Sequence, residues 1–399
     1  MTDAPVTSDG RSGAFPKAPP DGLIAAILLA FLGTAGLFYV NIMAAIVDGL
    51  VSGMGISESA AGNIGSANIY GAAVGALIAV PIVKFLAWRP MAIASLIGLI
   101  ALDLGSIGIK NADVLLWMRL GHGLIGGFLV GIAFAVIART KTPDRTFGAL
   151  LFVQFGLGGL GVMFLPRLVP VYGTQALFLA LTAFSVITLA MLPFLHRYPA
   201  DRIKRTVAEG GIRVGPLSLT LAAIFMFQAA NMALLAFIIR LGLNYGLDRF
   251  YVTFALGLAT WVALLGPLVV MIVGLKFGRL IPLAFGMVLT LSFTGLFHLS
   301  AQPWAYMVAN CATGITWGLG MAYLLGMTAE FDKAGRMSAL GGFFSKLGLA
   351  SGPLLAGMLL SSGGSFGTLI NFALIGLAIS AVLMAWPALA LDRSATSED

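Results

Sequence analysis

The chain has 399 residues, of which 59% are hydrophobic and only 10% are charged. Its mean hydropathy is +0.99 and its formal net charge is +7 at pH 7. These values exclude a soluble globular domain of this size and predict a polytopic membrane protein whose first partner is the lipid bilayer.

The sequence also excludes several classes of chemistry. Its single cysteine, Cys311, excludes a disulfide within the chain and a cysteine-built metal site. It has no Walker A loop and no G-x-G-x-x-G loop between a strand and a helix. We therefore expect no enzyme, no metal, no cofactor other than a proton gradient, and no ATP-driven transport by this chain alone.

The hydropathy pattern predicts twelve helices long enough to cross a hydrocarbon core. A polar tail at residues 1–21, expected to be retained and disordered, precedes them. The longest polar interval, 196–215, follows the sixth segment and divides the chain into two six-helix bundles, 22–195 and 216–390, with a short tail at 391–399. In chain order the segments are 22–47, 59–80, 91–109, 114–138, 147–166, 175–195, 216–239, 251–273, 281–299, 304–328, 338–360 and 368–390.

Positive charge is distributed unequally between the two sides. With the amino terminus inside, seventeen lysines and arginines fall on the inner side and four on the outer side, while Arg119 and Lys346 lie within segments. Because positively charged loops stay in the cytoplasm, both termini are predicted to be cytoplasmic in a plasma or bacterial inner membrane. The anionic inner leaflet accounts for the positive charge, so we expect no nucleic acid partner. Nothing in the sequence requires an oligomer, and we expect a monomer.

The two halves repeat in sequence. The loop VKFLAWRPMAI, beginning at Val83, matches LKFGRLIPLAF, beginning at Leu275, at an offset of 192 residues. Gln154 in the fifth segment falls on Lys346 in the eleventh at the same offset, and Arg119 falls on Asn310 at an offset of 191. Two homologous halves with a site between them are typical of secondary transporters.

These features together resemble the major facilitator superfamily over essentially the whole chain after residue 21. The resemblance rests on the two halves, on their matching Lys-Phe…Pro loops, and on Arg119-x-x-His122-Gly123 in the fourth segment, where the family has R-x-x-Q-G. The chain departs from the family pattern at the loop aspartate, replaced by Lys84, and in the fifth segment, which lacks the antiporter G-x-x-x-G-P run. The resemblance implies twelve membrane helices in two pseudo-symmetric bundles.

The fourth segment combines ionisable side chains with small residues. Arg119 and His122 lie in an apolar run, and Gly123, Gly127 and Gly131 have the small-xxx-small spacing that lets a neighbouring helix approach closely. An ionised side chain at the bilayer centre costs at least about 2.5–3.5 kcal/mol, so Arg119 needs a partner or a water-filled cavity.

Asp103 in the third segment is the candidate partner of Arg119. Both residues lie roughly 8–9 Å below the outer surface of the hydrocarbon at about 1.5 Å per residue, and a short loop joins their helices. The pair can be a structural tie between two helices, or a proton-coupling pair in which protonation of Asp103 frees Arg119; the resemblance implies the second role. His122, three residues from Arg119, is a candidate proton carrier, but a neutral hydrogen-bonding or substrate-contacting role is favoured beside an arginine.

Lys346 is the strongest indication of the substrate. It lies about eight residues into the eleventh segment, and no carboxylate in that segment or in the middle of its neighbours offers a partner. Arg119 and Lys346 together outnumber Asp103 by one charge, which favours an anionic ligand. The resemblance implies the same, since organic-anion facilitators use a basic residue there. The alternative is a side chain that snorkels to the interface or pairs with a carbonyl.

Further candidates lie in the cavity and at the inner face. The resemblance implies a cavity lined by helices 1, 4, 7 and 10, where polar groups contact substrate or other helices. Opposite charges at the inner face predict gate ion pairs between Lys84 and Asp144, and between Lys276 and Glu330 or Asp332, unless these are solvated loops. The cavity candidates are Tyr39, Asn41, Arg119, Gln154, Gln228, Asn231, Asn310, Thr313, Trp317, Tyr323 and Lys346.

The sequence therefore predicts a secondary active transporter. It moves a small organic anion, a carboxylate, by alternating access of the two bundles, coupled to protons as a symporter. One alternative is a proton-antiport exporter of amphipathic or cationic compounds. A second is a non-transporting protein that acts as a sensor or an assembly factor, against which the deep charges argue.

Overall fold

The structure is a computed structural model that describes residues 16–83, 87–140, 143–198, 214–331 and 336–396. Within these ranges it has 12 helical spans long and apolar enough to cross a membrane, which confirms the twelve predicted segments. The protein is therefore an integral, multi-pass membrane protein with the predicted all-α fold.

The first half of the chain comprises helices α1 to α7. A short 3-10 turn, Leu192–Phe194, follows α7. The helices are α1 (Leu23–Asn41), α2 (Met43–Met54), α3 (Glu58–Ile82), α4 (Trp88–Ser106), α5 (Ala112–Ile137), α6 (Pro143–Tyr172) and α7 (Gln175–Met191).

The second half comprises helices α8 to α14, with a 3-10 turn, Phe297–Leu299, after α11. The last helix continues past residue 390, where the last predicted segment ends. The helices are α8 (Val214–Asn244), α9 (Arg249–Val262), α10 (Leu265–Val273), α11 (Leu280–Leu296), α12 (Pro303–Glu330), α13 (Arg336–Ser361) and α14 (Phe366–Thr396).

Two predicted segments are each divided into two helices. The first is interrupted at Ile42, whose φ of −106° and ψ of 21° are not helical; no proline or glycine marks this break in the sequence. The eighth is interrupted between α9 and α10, just before Pro267. Because proline has no N–H, the carbonyl of Ala263 loses its helical partner there.

Glycines bring α3 and α5 into backbone contact. A Cβ added to Gly123 would lie 1.8 Å from the Asn68 carbonyl oxygen, and one added to Gly127 would lie 2.0 Å from that of Ala72. A methyl group has no room at either distance, so only glycine permits this approach. The predicted role of the small residues is confirmed, and α3 is the neighbouring helix.

We expect Gly127→Ala to destabilise the fold by at least about 1–3 kcal/mol, because the added methyl group overpacks the contact between α5 and α3. Thermal unfolding of the purified variant in detergent measures the effect. Gly156→Ala is the matched control, since an added Cβ there meets nothing within 4 Å. Equal melting temperatures for the two variants would contradict this account.

The ends of the helices define two faces of the molecule. The terminus face carries residues 16–22 and the end of α14, and the opposite face carries the starts of α3, α5 and α7. Helices α1 to α7 pack mainly on one another, as do α8 to α14. The two halves meet chiefly where α3 packs on α13, α6 on α9 and α2 on α8.

Residues 16–21 are anchored at the terminus face. The Ala18 N–H donates to the Phe194 carbonyl at 2.9 Å, and the Tyr198 hydroxyl donates to the Pro20 carbonyl at 2.7 Å. The predicted disordered tail therefore extends too far into the chain, because these backbone groups are bonded. Residues 1–15 and most of the predicted linker, 199–213, lie outside the described residues.

Candidate functional site

Asp103 and Arg119 form an ion pair inside the first half. The Arg119 Nη1 donates to Asp103 Oδ1 at 2.7 Å, and its Nη2 donates to the Leu102 carbonyl at 3.1 Å and to the Ser106 hydroxyl. Asp103 and Arg119 are both fully buried. The pair brings α4 and α5 together as the sequence predicts, and the neighbouring acceptors compensate much of the cost of burying the guanidinium.

His122 extends this cluster toward α3. The Asn68 amide nitrogen lies 2.9 Å from His122 Nδ1 and donates to the Arg119 carbonyl at 3.2 Å. Since an amide nitrogen is a donor, Nδ1 is the acceptor, and the proton of a neutral ring is on Nε2. That atom lies 3.3 Å from Asp103 Oδ2. Both ring nitrogens of His122 therefore have polar neighbours within the cluster.

Aromatic rings close the other sides of the cluster. The Arg119 Cζ lies 5.1 Å from the Phe178 ring centre and 5.9 Å from that of Tyr39. Both rings belong to the first half, as do Asn68, Asp103 and His122. The cluster therefore lies among α1, α3, α4, α5 and α7, and none of its side chains lines the central cavity described next.

A cavity of about 240 Å³ lies between the halves. Its walls are mostly apolar, with a few amide, hydroxyl and indole groups from α1, α6, α8, α9, α11 and α12. Concave, mostly apolar cavities of this kind, with a few polar groups, are typical of small-molecule sites. The polar lining residues are Asn41, Gln154, Asn231, Thr260, Thr294, Asn310, Thr313 and Trp317, six of which are candidates from the sequence.

Hydrogen bonds fix two parts of the cavity wall. The Gln154 amide donates to Asn41 Oδ1 at 3.0 Å, which joins α6 to α1. The Trp317 indole donates to Gln228 Oε1 at 2.7 Å, and the Gln228 amide donates to the Ser345 hydroxyl at 2.7 Å. Gln228 therefore supports Trp317 from behind and does not line the cavity.

Phe155 and Trp317 meet across the interface. Their ring centres are 6.2 Å apart at an interplanar angle of 69°, an edge-to-face arrangement. Phe155 belongs to the first half and Trp317 to the second, and both line the cavity. A solute in the cavity therefore contacts aromatic surface from both halves.

Lys346 lies on the interface side of α13. It is half-buried, and its ammonium group makes no hydrogen bond or ion pair with any residue that the structure describes. Leu349, three residues further along the same helical face, lines the cavity. Pro353 on that face touches α3, since a Cβ on Gly62 would lie 2.3 Å from its carbonyl oxygen. Lys346 is thus about one turn from the cavity, toward the terminus face.

The remaining sequence candidates are placed differently. Tyr39 belongs to the buried cluster, and the Tyr323 hydroxyl donates to the Gly274 carbonyl at 2.7 Å, away from the cavity. Glu330 accepts from Arg279 at 2.8 Å. The partner of Glu330 is therefore Arg279 and not the predicted Lys276, whose side chain is exposed. Lys84, Asp332 and the side chain of Asp144 lie outside what the structure describes.

The opposite face has ion pairs between the halves that the sequence prediction missed. Arg249 of α9 donates to Asp48 of α2 at 2.5 Å, and Arg240 of α8 donates to Glu58 of α3 at 3.1 Å. Arg167 of α6 donates to the Thr253 hydroxyl at 2.9 Å. These contacts close the cavity on this side. Asp48 lies one residue beyond the predicted end of the first segment, so its depth could not be recognised.

The geometry defines a class: an integral membrane protein with two six-span halves and a cavity between them. No protein-family profile matches the chain, and no curated protein sequence does. A solved structure of a mutant of the nucleoside transporter NupG matches with a TM-score of 0.71 at 12% identity, covering 92% of this chain and 99% of that chain. That of a D-xylose-proton symporter matches with a TM-score of 0.67 at 14% identity, covering 91% and 97%. The protein has the major facilitator fold, as the resemblance predicts.

Proposed function

We propose that the protein is a secondary transporter that works by alternating access. This proposal rests on the cavity between the two halves. Contacts between the halves close that cavity at the opposite face. Those contacts are ion pairs and hydrogen bonds between separate helices, which can break and re-form as the halves rock about the cavity. This rocking motion does not require a covalent bond to break or a helix to unfold.

The solved structures with this fold are consistent with the proposal. One is named a nucleoside transporter and the other a D-xylose-proton symporter. We extend two coarse features to this chain: a small organic solute and coupling to protons. We also propose that the terminus face is cytoplasmic, because loops rich in lysine and arginine stay inside. The structure then corresponds to a state closed to the outside, in the plasma or bacterial inner membrane.

The substrate that we propose is a small organic anion, a carboxylate. Lys346 supplies a positive charge about one turn from the cavity, without a carboxylate partner among the described residues. An unpaired cation at this depth is costly, and a bound anion removes that cost. The amides of Asn41, Gln154 and Asn231 offer hydrogen bonds, and a volume of about 240 Å³ favours a small solute.

An exporter of amphipathic or cationic compounds is the second candidate. The apolar walls and the edge-to-face pair of Phe155 and Trp317 favour it, because aromatic faces attract cations as well as apolar groups. In that function Lys346 has no part in binding, so the two candidates predict different results for its substitution.

Proton-linked uptake by purified protein in vesicles with an internal pH-sensitive dye tests the proposal. The panel contains mono- and dicarboxylates, aromatic acids and cationic dyes. With Lys346→Ala we expect the KM for the transported acid to rise by about 10- to 100-fold, the equivalent of one charge-assisted hydrogen bond of about 1.5–3 kcal/mol. Lys346→Arg is expected to retain most of the activity.

Lys276→Ala is the matched control, because it removes an exposed lysine at the same face. Acid movement that is lost with Lys346→Ala and kept with Lys276→Ala supports an anion site. Proton movement with cationic dyes alone, or indifference to Lys346→Ala, contradicts it and favours the exporter.

A further inference from the structure

Two asparagines of the second half direct their oxygens away from their own helices. The Asn231 amide nitrogen donates to the Phe227 carbonyl at 2.8 Å, and the Asn310 amide nitrogen donates to the Tyr306 carbonyl at 2.8 Å. Because a carbonyl can only accept, each amide must present its nitrogen to the helix. Both asparagines line the central cavity, and neither side-chain oxygen accepts a hydrogen bond from a residue that the structure describes.

Two threonines of the same half have already used their only proton. The Thr313 hydroxyl donates to the Ala309 carbonyl at 2.7 Å, and the Thr260 hydroxyl donates to the Leu256 carbonyl at 2.9 Å. Both threonines line the cavity. Since a hydroxyl group has one proton, these two oxygens can only accept a hydrogen bond from a solute.

The indole N–H of Trp317 is also occupied. It donates to Gln228 Oε1 at 2.7 Å, and the Gln228 amide nitrogen donates to the Ser345 hydroxyl at 2.7 Å. An indole nitrogen is a donor only, so the Gln228 oxygen has to face it. Trp317 therefore offers a solute its ring surface but no free proton.

The cavity wall formed by α8, α9 and α12 thus has more acceptors than donors. Its four free oxygens belong to Asn231, Thr260, Asn310 and Thr313, whereas its remaining donors are at most the second N–H of each amide. The Thr294 hydroxyl of α11 can serve as either. A solute that displaces water from these oxygens must replace the lost hydrogen bonds, because an unsatisfied acceptor in an apolar cavity is costly.

The cavity wall formed by the first half can donate as well as accept. The Gln154 amide donates to Asn41 Oδ1 at 3.0 Å, and Asn41 Nδ2 is buried without a partner in the described structure. Whichever way the two amides are turned, one hydrogen bond joins them, and N–H groups and an oxygen remain. Donors for a carboxylate are therefore available on this wall and at Lys346.

The donors and the acceptors lie toward different ends of the cavity. Helix α12 begins at the opposite face, so Asn310 and Thr313 lie nearer that face than Trp317 does. Lys346 lies toward the terminus face. A solute that satisfies both ends therefore has an anionic group at one end and hydrogen-bond donors at the other.

We propose that the transported solute is a hydroxylated monocarboxylate, an inference that rests on the proposed transport of a carboxylate. Its carboxylate faces Lys346, and its hydroxyl groups donate to the free oxygens of α8, α9 and α12. A hydroxyl group donates without adding charge, whereas an ammonium group would find no acidic residue among those that line the cavity. A second carboxylate would meet the wall's own oxygens, and an unsubstituted alkyl chain would leave those oxygens without donors.

Binding of acids with the same carbon chain tests this proposal in the unaltered protein. Isothermal titration calorimetry of the purified protein in detergent, at about pH 7, where these acids are ionised, compares propanoate with lactate and glycerate, and hexanoate with gluconate. We expect the best hydroxylated acid to bind about 10- to 100-fold more tightly than the plain acid of equal length. The fluoro analogue of lactate, in which fluorine replaces the hydroxyl group, controls for size: it has no proton to donate and is expected to bind no better than propanoate.

A variant assigns the preference to the cavity wall. Thr313→Val removes one accepting oxygen and keeps the shape of the side chain, so we expect the affinity ratio of hydroxylated to plain acid to fall by about 3- to 10-fold. Thr220→Val is the matched control, because the Thr220 hydroxyl donates to the Pro216 carbonyl at 2.9 Å in the same way but does not line the cavity. It is expected to keep the ratio of the parent protein. The ratio is measured because a purely structural defect weakens both acids alike.

Three results would overturn the proposal. In the first, plain acids bind as tightly as hydroxylated ones and move protons in vesicles, so carboxylate transport stands and the inference about hydroxyl groups fails. In the second, the fluoro analogue binds as well as lactate, which assigns the preference to size and not to donation. In the third, no acid of either series binds or moves protons, so the proposed carboxylate transport fails together with this inference.

Discussion

Arg119→Ala is expected to destabilise the protein by about 3–5 kcal/mol, the cost of leaving a buried charge without its partner. Asp103 is fully buried, and the guanidinium is its closest charged neighbour at 2.7 Å. The substitution also removes the bonds to the Leu102 carbonyl and the Ser106 hydroxyl. Thermal unfolding of the purified protein in detergent measures the loss.

Arg240→Ala is the matched control, because it removes an arginine from a partly exposed pair. The side chains of Arg240 and Glu58 are 26% and 29% exposed, and such pairs contribute about 0–1 kcal/mol. If Arg119→Ala lowers the melting temperature no more than Arg240→Ala, the buried pair is not a structural tie.

A double variant separates the charge from the packing. Asp103→Asn with Arg119→Gln removes both charges and retains polar side chains in the same space. We expect it to be more stable than Arg119→Ala alone, since no unpaired charge is left buried. The same variant in the uptake assay tests the coupling role predicted for this pair: a neutral pair that still moves protons with substrate contradicts that role.

The buried cluster could be predicted because its components are close in sequence. Asp103 and Arg119 are 16 residues apart in helices joined by a short loop, so their depths could be compared directly. The glycines at 123 and 127 indicated a close neighbour by spacing alone. Asn68 and Phe178 could not be assigned to the cluster, because their place beside Arg119 depends on how α3 and α7 pack.

The repeat predicted the cavity in part. Gln154 and Lys346 correspond in the two halves, and the structure places Gln154 on the cavity wall and Lys346 about one turn from it. Arg119 and Asn310 also correspond, yet Asn310 lines the cavity and Arg119 is buried inside its own half. A repeat fixes equivalent positions on the helices, whereas the surroundings of each side chain depend on residues that differ between the halves.

The ion pairs of the opposite face could not be predicted from the sequence. Asp48 and Arg249 are 201 residues apart and belong to different halves, so no local pattern links them. The first segment was predicted to end at residue 47, whereas the chain continues as α2 to Met54 after the break at Ile42. Because no proline or glycine marks that break, nothing in the sequence shows that Asp48 lies within a second short helix.

A disulfide across the opposite face is expected to abolish transport. The Ser59 N–H donates to the Ser361 hydroxyl at 3.0 Å, which brings the end of α13 in the second half next to the start of α3 in the first. In a Cys311→Ser background, Ser59→Cys with Ser361→Cys places two thiols at this contact. Oxidation ties the halves together, so molecules that carry the crosslink cannot open this face, and reduction restores transport.

A second pair of cysteines controls for oxidation and for the crosslink itself. His298 Nε2 lies 2.9 Å from Asn371 Oδ1, and both residues are exposed in the second half, near the same face. Crosslinked His298→Cys with Asn371→Cys is expected to transport normally, because that bond joins elements that move together. If the crosslink between residues 59 and 361 forms and transport continues as fast as in the protein without the crosslink, the halves do not separate at this face. The ion pairs of Asp48 and Glu58 then belong to a permanent interface, and alternating access must proceed by a motion that leaves α3 and α13 in contact.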